Sequence, residues 1–541
     1  MFPSIWRRAG GRLTLAAVCL LTPAVCYGQE LPLESTSTLG QASGPSSVPS
    51  TNPEKPERTL RVNKFTVQGG SLIKPEELAP ILTPYEGRDL SLRQMKEVAE
   101  QVTALYRAQG YLLTHAFVPK QDFRDGSVRI EVVEGKIDKV TVEGAGGYSE
   151  ELIKDYFQGS TEGGVFQTDK FQRGILLLNE LPNLKVTAHL KSSQEKGKAD
   201  VVLKAEEGKN YHFNLDYNNF GSPITGEHRF GVGFDLDNMA GVGDSLYLRS
   251  VISFAPAGSN FYNIGYRTPV NTSGTSIGVD YANGSFTAGR DFAILDIRGR
   301  ANIYTASVSQ ALDRSLDFSS TVGAAISYKD SDSSLLGLPQ ARDRYWASRL
   351  SWQGDWRDLD GRSLAQASWT QGLGGMEAGD PLASRLGAAS NFSKFNLDLA
   401  RVQTIDAGLY AIARGTAQFA WSPLYTGEQF ALGGPDTVRG YPQASYLGDT
   451  GYVLSAELRW SPLEDPEVLQ FAAFVDQGGV TRRNALPGEI GSVSLTGAGV
   501  GLRSNLSPET SLRLDLGFPL SSADNFNSQN PLLYGAVRTR F

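Results

Sequence analysis

Tyr211-His212-Phe213-Asn214-Leu215-Asp216-Tyr217-Asn218 carries an aromatic or aliphatic side chain at every odd position and a polar one at every even position. Successive side chains of an extended chain point to opposite faces, so this stretch reads as a β-strand with one apolar and one polar face. The alternation recurs downstream. Leu295, Ile297, Gly299, Ala301 and Ile303 alternate with Asp296, Arg298, Arg300 and Asn302. Leu454, Ala456, Leu458 and Trp460 alternate with Ser455, Glu457 and Arg459, and Leu512, Leu514, Leu516 and Phe518 with Arg513, Asp515 and Gly517. About sixteen such segments fit between Tyr211 and Phe541, roughly 20 residues for each strand with its connection. A soluble sandwich also alternates, but its polar face is normally the outer one. Here the apolar faces carry almost no charge, which fits a barrel with a lipid-facing exterior and a wet, charged lumen. The last expected strand, Leu533 to Phe541, ends on an aromatic residue.

Upstream of Tyr211 the texture differs. Residues 1–28 read as a secretory leader: Arg7, Arg8 and Arg12 precede the apolar run Leu13 to Leu21, and small residues follow up to Gly28. Both cysteines, Cys19 and Cys26, fall in this leader, so the mature chain is expected to have no disulfide and no cysteine metal site. Loss of the three arginines takes the formal charge from −7 to −10, and an acidic chain argues against a nucleic-acid partner. Residues 29–58 are dense in Ser, Thr, Pro and Gly and read as a flexible linker.

Two similar modules follow, 59–135 and 136–208, each expected as β-α-α-β-β. The first has a strand Val62 to Gln68, a short helix near Glu76 to Leu82, a helix from Leu92 to Gln109, and strands Thr114 to Val118 and Val128 to Val133. Ser91 and Gln94 form a capping-box pattern, Gly110 supplies a stop, and Leu92, Met95, Ala99, Val102 and Tyr106 make an apolar stripe suited to a core. The second repeats the order with strand Ile137 to Glu143, helices Ser149 to Phe157 and Thr168 to Leu181, and strands Leu184 to Leu190 and Ala199 to Ala205.

Two short motifs stand out within the expected barrel, 209–541. Val438-Arg439-Gly440-Tyr441 lies in a Gly- and Pro-rich segment, Ser422 to Thr450, between two alternating runs. Phe474-Val475-Asp476-Gln477-Gly478 follows, and on a strand Phe474, Asp476 and Gly478 share one face. A guanidinium and a carboxylate meeting in a partly dry cavity make a bidentate, geometrically exacting lock. The ordinary alternative is a loop arginine in water and a strand-end aspartate without a partner.

The whole plan resembles the two-partner secretion transporters, the haemolysin secretion/activation class of outer-membrane proteins. The modules resemble polypeptide-transport-associated (POTRA) domains. The first does so through Tyr106-Arg107-Ala108-Gln109-Gly110-Tyr111 to Pro119 and Gly126 to Gly135, which ends Val133-Glu134-Gly135. Val438-Arg439-Gly440-Tyr441 is similar to that family's motif at the tip of a loop folded back into the barrel between strands eleven and twelve. Phe474-Val475-Asp476-Gln477-Gly478 is similar to its partner motif on strand thirteen.

The resemblance implies a mostly β protein: a barrel of about 16 strands in the outer membrane, with two periplasmic POTRA domains and an inward loop near 422–450. It implies secretion of one large exoprotein, bound unfolded by the POTRA domains, such as a haemolysin- or adhesin-like β-helical protein. It further implies contact with outer-membrane lipid and, during biogenesis, with the barrel assembly machinery. One departure is that residues 29–58 show no amphipathic helix of the kind that plugs the pore in family members. A barrel assembly or insertion factor of the same superfamily is the alternative, but such factors tend to carry more than two POTRA modules.

An enzyme is not expected, and neither is a cofactor. Gly243-Asp244-Ser245-Leu246 matches a short esterase-like pattern, yet His115, His189, His212 and His228 all precede Ser245. A strand start after a tight turn is the simpler reading. The four histidines show no i, i+4 pair for a metal, and no phosphate-binding glycine loop is present.

Overall fold

A computed structural model describes residues 58–541 except 124, 162–163, 196, 255–257, 377–379 and 522–529. The expected leader and nearly all of the expected linker lie outside these residues. So does the question of a plug helix within them. The chain divides into two compact units with the boundary between Gly208 and Lys209.

In the first module the expected strand Val62 to Gln68 is two strands. Thr59–Val62 pairs antiparallel with Arg88–Ser91, a ribbon that the sequence reading missed, and Lys64–Gln68 joins the main sheet. The chain switches sheets at Asn63, whose N–H donates to Gly126 O at 2.7 Å. The main sheet has Ser127–Val133 at its centre, parallel to Lys64–Gln68 and antiparallel to His115–Phe117. Helix Pro75–Leu82 precedes helix Leu92–Ala108, where both bonds of the capping box form. Ser91 Oγ accepts from Gln94 N at 3.3 Å and Gln94 Oε1 accepts from Ser91 N at 2.8 Å. Met95, Val98, Ala99, Val102 and Tyr106 are buried against Phe65, Ile130 and Val132. Leu92 is not part of that stripe; at the first helical position it points to solvent, and Val98 completes the buried face instead.

The second module repeats the plan, with the sheet order Lys136–Glu143, Lys198–Glu207, Leu184–Ser192. Helices Glu150–Asp155 and Thr168–Asn179 cover it, and Ser149 Oγ caps the former by accepting from Leu152 N at 3.1 Å. Its core is aromatic: Phe157, Phe166 and Phe171 pack on Leu178 and Leu203.

From Tyr211 onward, sixteen antiparallel strands close into a barrel. The first, Tyr211–Asn218, pairs with the second, Arg229–Asp237, and with the sixteenth, Leu532–Arg540. This closing seam has five register pairs, against eight at the junctions on either side of it. Closure leaves no unpaired edge, the condition for placing strands in lipid. No helix among the described residues is long and apolar enough to cross a membrane.

Leu454, Leu458 and Trp460 are exposed on the outer face of strand twelve, Thr450–Trp460, while Glu457 is buried on the inner face. Tyr281, Tyr304, Tyr328 and Trp346 stand side by side on neighbouring strands, with ring centroids 4.9–6.5 Å apart. Such a row is an aromatic girdle for a membrane interface.

The alternation from Leu295 to Ile303 faces the opposite way from that expectation. Ile297 and Ala301 are buried with Phe286 and Ala288, whereas Arg298 and Arg300 share a face with the exposed Tyr304. Strand length explains this. Strands six to eight (Arg298–Arg314, Phe318–Leu335 and Leu338–Asp358) run for 17, 18 and 21 residues. That is well beyond the ~10 residues a crossing needs. Their outer ends project past the lipid, where an outward arginine meets water and pairs with a neighbour, as Arg300 does with Asp332 at 3.2 Å.

Fragment 59–208 is expected to fold alone. Circular dichroism in plain buffer should show mixed helix and sheet. Ser91→Ala should lower its stability in urea by about 1 kcal/mol, the usual loss for an N-cap.

Candidate functional site

The segment between strand eleven, Leu409–Ala420, and strand twelve turns back into the lumen. Its two limbs pair as a short ribbon, Phe430–Leu432 with Tyr446–Gly448, and the tip lies between them. Phe430, Leu432, Val438, Tyr441 and Tyr446 form a dry cluster with Val453, Val480 and Leu495 of the barrel's inner face. Apolar contact thus lines one side of the tip, and charge fills the other.

Arg439 and Asp476 meet as the two motifs suggest. Arg439 Nε donates to Asp476 Oδ2 at 2.7 Å and Nη2 donates to Oδ1 at 2.9 Å, a bidentate fork. The Arg439 backbone N–H adds a third bond to the same carboxylate at 3.1 Å. Arg439 is 4% exposed and Asp476 fully buried. Phe474, two residues before Asp476 on strand thirteen (Leu469–Thr481), lies flat beneath the guanidinium, with Arg439 Cζ 3.3 Å from its ring centroid.

Gly478, third on that face, is needed for space, because a Cβ there would stand 2.7 Å from Leu432 of the loop. Gly440 takes φ +101°, and a Cβ would strike the backbone of Phe518 and Pro519 at 2.8 Å. Val438 is buried in the apolar cluster, and Tyr441 Oη donates to Thr496 O or Ser521 O, at 3.0 and 2.7 Å.

Several contributors escaped the sequence reading. Arg439 Nη1 also donates to Glu457 Oε2 at 2.7 Å and lies 3.6 Å from Asp515 Oδ1. Arg503 and Arg513 each reach Asp515 at 2.8 Å, and Arg459 reaches Glu457 at 2.7 Å. Four arginines and three buried carboxylates therefore share one network. Tyr534 on strand sixteen accepts from Gly440 N at 3.0 Å and donates to Tyr441 O at 2.7 Å, which links the tip to the closing seam. Gly497 and Gly517 provide bare backbone where the tip rests; a Cβ at Gly517 would lie 2.5 Å from Gly440 N, and one at Gly497 would overlap Arg439 O. The only signal for Glu457 and Asp515 was their inward place in an alternating strand.

Ser245 begins strand three, Ser245–Ser253, after a tight turn, and its hydroxyl donates to Asp237 at 2.6 Å. The described residues contain no group of three His, Cys, Asp or Glu side chains disposed to hold a metal.

A lipid-facing sixteen-strand barrel with a charged lumen, an inward loop pinned by an arginine, and preceding β-α-α-β-β modules define an outer-membrane protein transporter. The family model for the haemolysin secretion/activation protein ShlB/FhaC/HecB matches residues 197–504, more than half the chain, and the ShlB-type POTRA model matches 60–135. The chain belongs to the ShlB/FhaC/HecB family of haemolysin secretion/activation proteins, the outer-membrane transporters of two-partner secretion, with its POTRA region in the periplasm.

It is 22% identical to the heme/hemopexin transporter protein HuxB of Haemophilus influenzae over 86% of this chain and 84% of the relative. It is 23% identical to the outer membrane transporter CdiB of Dickeya dadantii over 86% and 82%. The solved structure of CdiB from Escherichia coli superposes with a TM-score of 0.75 at 20% identity, covering 92% of this chain and 93% of that one.

Arg439→Ala and Asp476→Ala should each insert as folded barrels yet secrete little partner protein and show altered channel conductance. Removing one member of a buried pair costs ~3–5 kcal/mol, because the other is left desolvated. The double variant should be no worse than Arg439→Ala, since one interaction is shared. Arg439→Ala should be the worse single change, because it also removes one of the arginines that meet Glu457 and leaves that carboxylate to Arg459 and Arg503. Quantitative secretion assays and planar-bilayer recordings read both effects.

Proposed function

We propose that the chain, made with a leader at 1–28 and a linker at 29–58, captures an unfolded exoprotein with modules 59–135 and 136–208. The exoprotein then passes as an extended chain through barrel 209–541 once the loop tip leaves Asp476. Val438, Arg439, Gly440 and Tyr441 are the movable part in this reading, and Phe474, Asp476 and Gly478 are its seat. The observation that carries it is the buried fork between Arg439 and Asp476, a charged tie between the loop tip and the inner wall of the barrel. A structural core would more readily use apolar contact, since buried ion pairs contribute little net stability. A tie of this kind specifies position.

Capture fits the free sheet edges. Among the described residues, Leu184–Ser192 pairs with a neighbour on one side only and offers nine residues of backbone to an incoming strand. Lys185 and Lys191 on it discourage pairing between copies of the chain itself. No step in this sequence of events calls for catalysis or a cofactor.

The test is titration of fragment 59–208 with unfolded N-terminal segments of the cognate exoprotein. One segment should bind. Interrupting it with prolines should weaken binding about tenfold or more, because each proline removes a ladder donor, while raising the salt should change it by less than about threefold. Absence of binding by every segment would overturn capture by these modules.

A further inference from the structure

The inward loop is held at a second place, eleven residues before Arg439. Glu428, just before the ribbon, is 2% exposed, and its carboxylate faces three strands at once. Lys329 of strand seven pairs with Oε1, Lys394 of strand ten (Ser393–Asp406) reaches Oε2 at 2.8 Å, and Tyr345 of strand eight donates to Oε1 at 2.7 Å. The backbone carbonyl of Glu428 accepts from Lys394 Nζ at 2.9 Å and from Gln418 Nε2 at 3.1 Å. Tyr425 stacks on Tyr345 with centroids 4.8 Å apart, and Phe392 meets Tyr345 edge-on at 5.6 Å. The returning limb is fixed as firmly: Asp449 is fully buried, pairs with Arg385, and accepts from Leu424 N at 2.8 Å and Arg483 N at 2.7 Å.

None of these side chains belongs to the tip network. The root is bound mainly to strands seven, eight and ten, and the tip to strands twelve to sixteen. A loop that merely had to fill space would need no second buried ion cluster. Desolvating Glu428 and Lys394 is costly and adds little net stability, so the cluster is better suited to fixing position.

We propose that Glu428, with Lys329, Lys394 and Tyr345, is a root latch independent of the tip lock. Release of Arg439 from Asp476 then frees only the tip, and the loop swings on a fixed root as a hinged gate without leaving the barrel. These four are positioning residues. The proposal rests on the reading of the loop as the movable obstruction, but its test needs no exoprotein, so failure of capture would leave it intact.

The experiment records single-channel conductance of the full-length protein in planar bilayers, with heat-modifiable gel mobility as the check on barrel folding. A variant lacking 424–447 sets the level for an absent loop. Arg439→Ala should fall between wild type and that level. Adding Glu428→Gln, which keeps the shape and removes the charge, should bring conductance to the loop-less level, and adding Tyr345→Phe should move it partway. In the Arg439→Ala background, Glu428→Asp keeps a carboxylate facing Lys329, Lys394 and Tyr345. It should hold conductance closer to the value of Arg439→Ala alone than Glu428→Gln does, which a role for side-chain shape alone would not predict. Should Glu428→Gln fail to fold, Tyr345→Phe and Glu428→Asp carry the test. The proposal is overturned if Arg439→Ala alone reaches the loop-less level, or if Glu428→Gln and Tyr345→Phe leave the conductance of Arg439→Ala unchanged.

Discussion

A guanidinium cannot shed its charge in a protein, so an arginine that leaves water must be met by anions and donor-matched geometry. Arg439 meets that requirement with a two-pronged carboxylate, a second carboxylate, and an aromatic face beneath. Much of the surrounding architecture follows. The backbone has to reach Asp476 closely enough for its own N–H to bond, so Gly440 bends through a left-handed conformation and the opposing strands carry Gly497 and Gly517. The negative charge collected around Arg439 is in turn balanced by Arg459, Arg503 and Arg513. Stability of the barrel resides in its closed hydrogen-bonded ladder; the charge network governs where the loop lies.

The alternating runs at Tyr211, Leu454 and Leu512 made the barrel legible, because a period of two with uncharged apolar faces has few other solutions in an exported chain. The capping box at Ser91 located a helix start, and the two short motifs located the central pair. The facing of Leu295 to Ile303 was not legible, since the pattern assumes lipid against every strand and strands six to eight outrun it. The ribbon Thr59–Val62 with Arg88–Ser91 escaped because four-residue strands leave almost no periodic trace. Glu457, Asp515, Tyr534 and the cluster around Glu428 were hidden for another reason. Alternation assigns a side chain to the inner face, but only ring closure and strand register decide which inner side chains meet across the lumen.

The likeness to CdiB from Escherichia coli at 20% identity fits this division of labour. Lipid-facing positions ask only for an apolar side chain, and most lumen positions only for a hydrated one, so both tolerate wide substitution. The places where backbone lies on backbone, as at Gly440, Gly497 and Gly517, tolerate almost none.

The loop's two anchorages also have a mechanical meaning. In a ring of sixteen strands, seven and eight lie half a circumference from fifteen and sixteen. A hoop of paired strands can change between round and oval outlines only through small changes of twist and angle at each junction, since sliding one strand along another would break the ladder. A member fastened near Lys329 and Tyr345 at one end and near Arg513 and Tyr534 at the other acts as a tie-rod across the diameter. It fixes the outline of the section, and it bears on the strand whose junction with its neighbour has five register pairs. In the proposed reading, unfastening the tip would therefore take away this tie at the same moment as it clears a path.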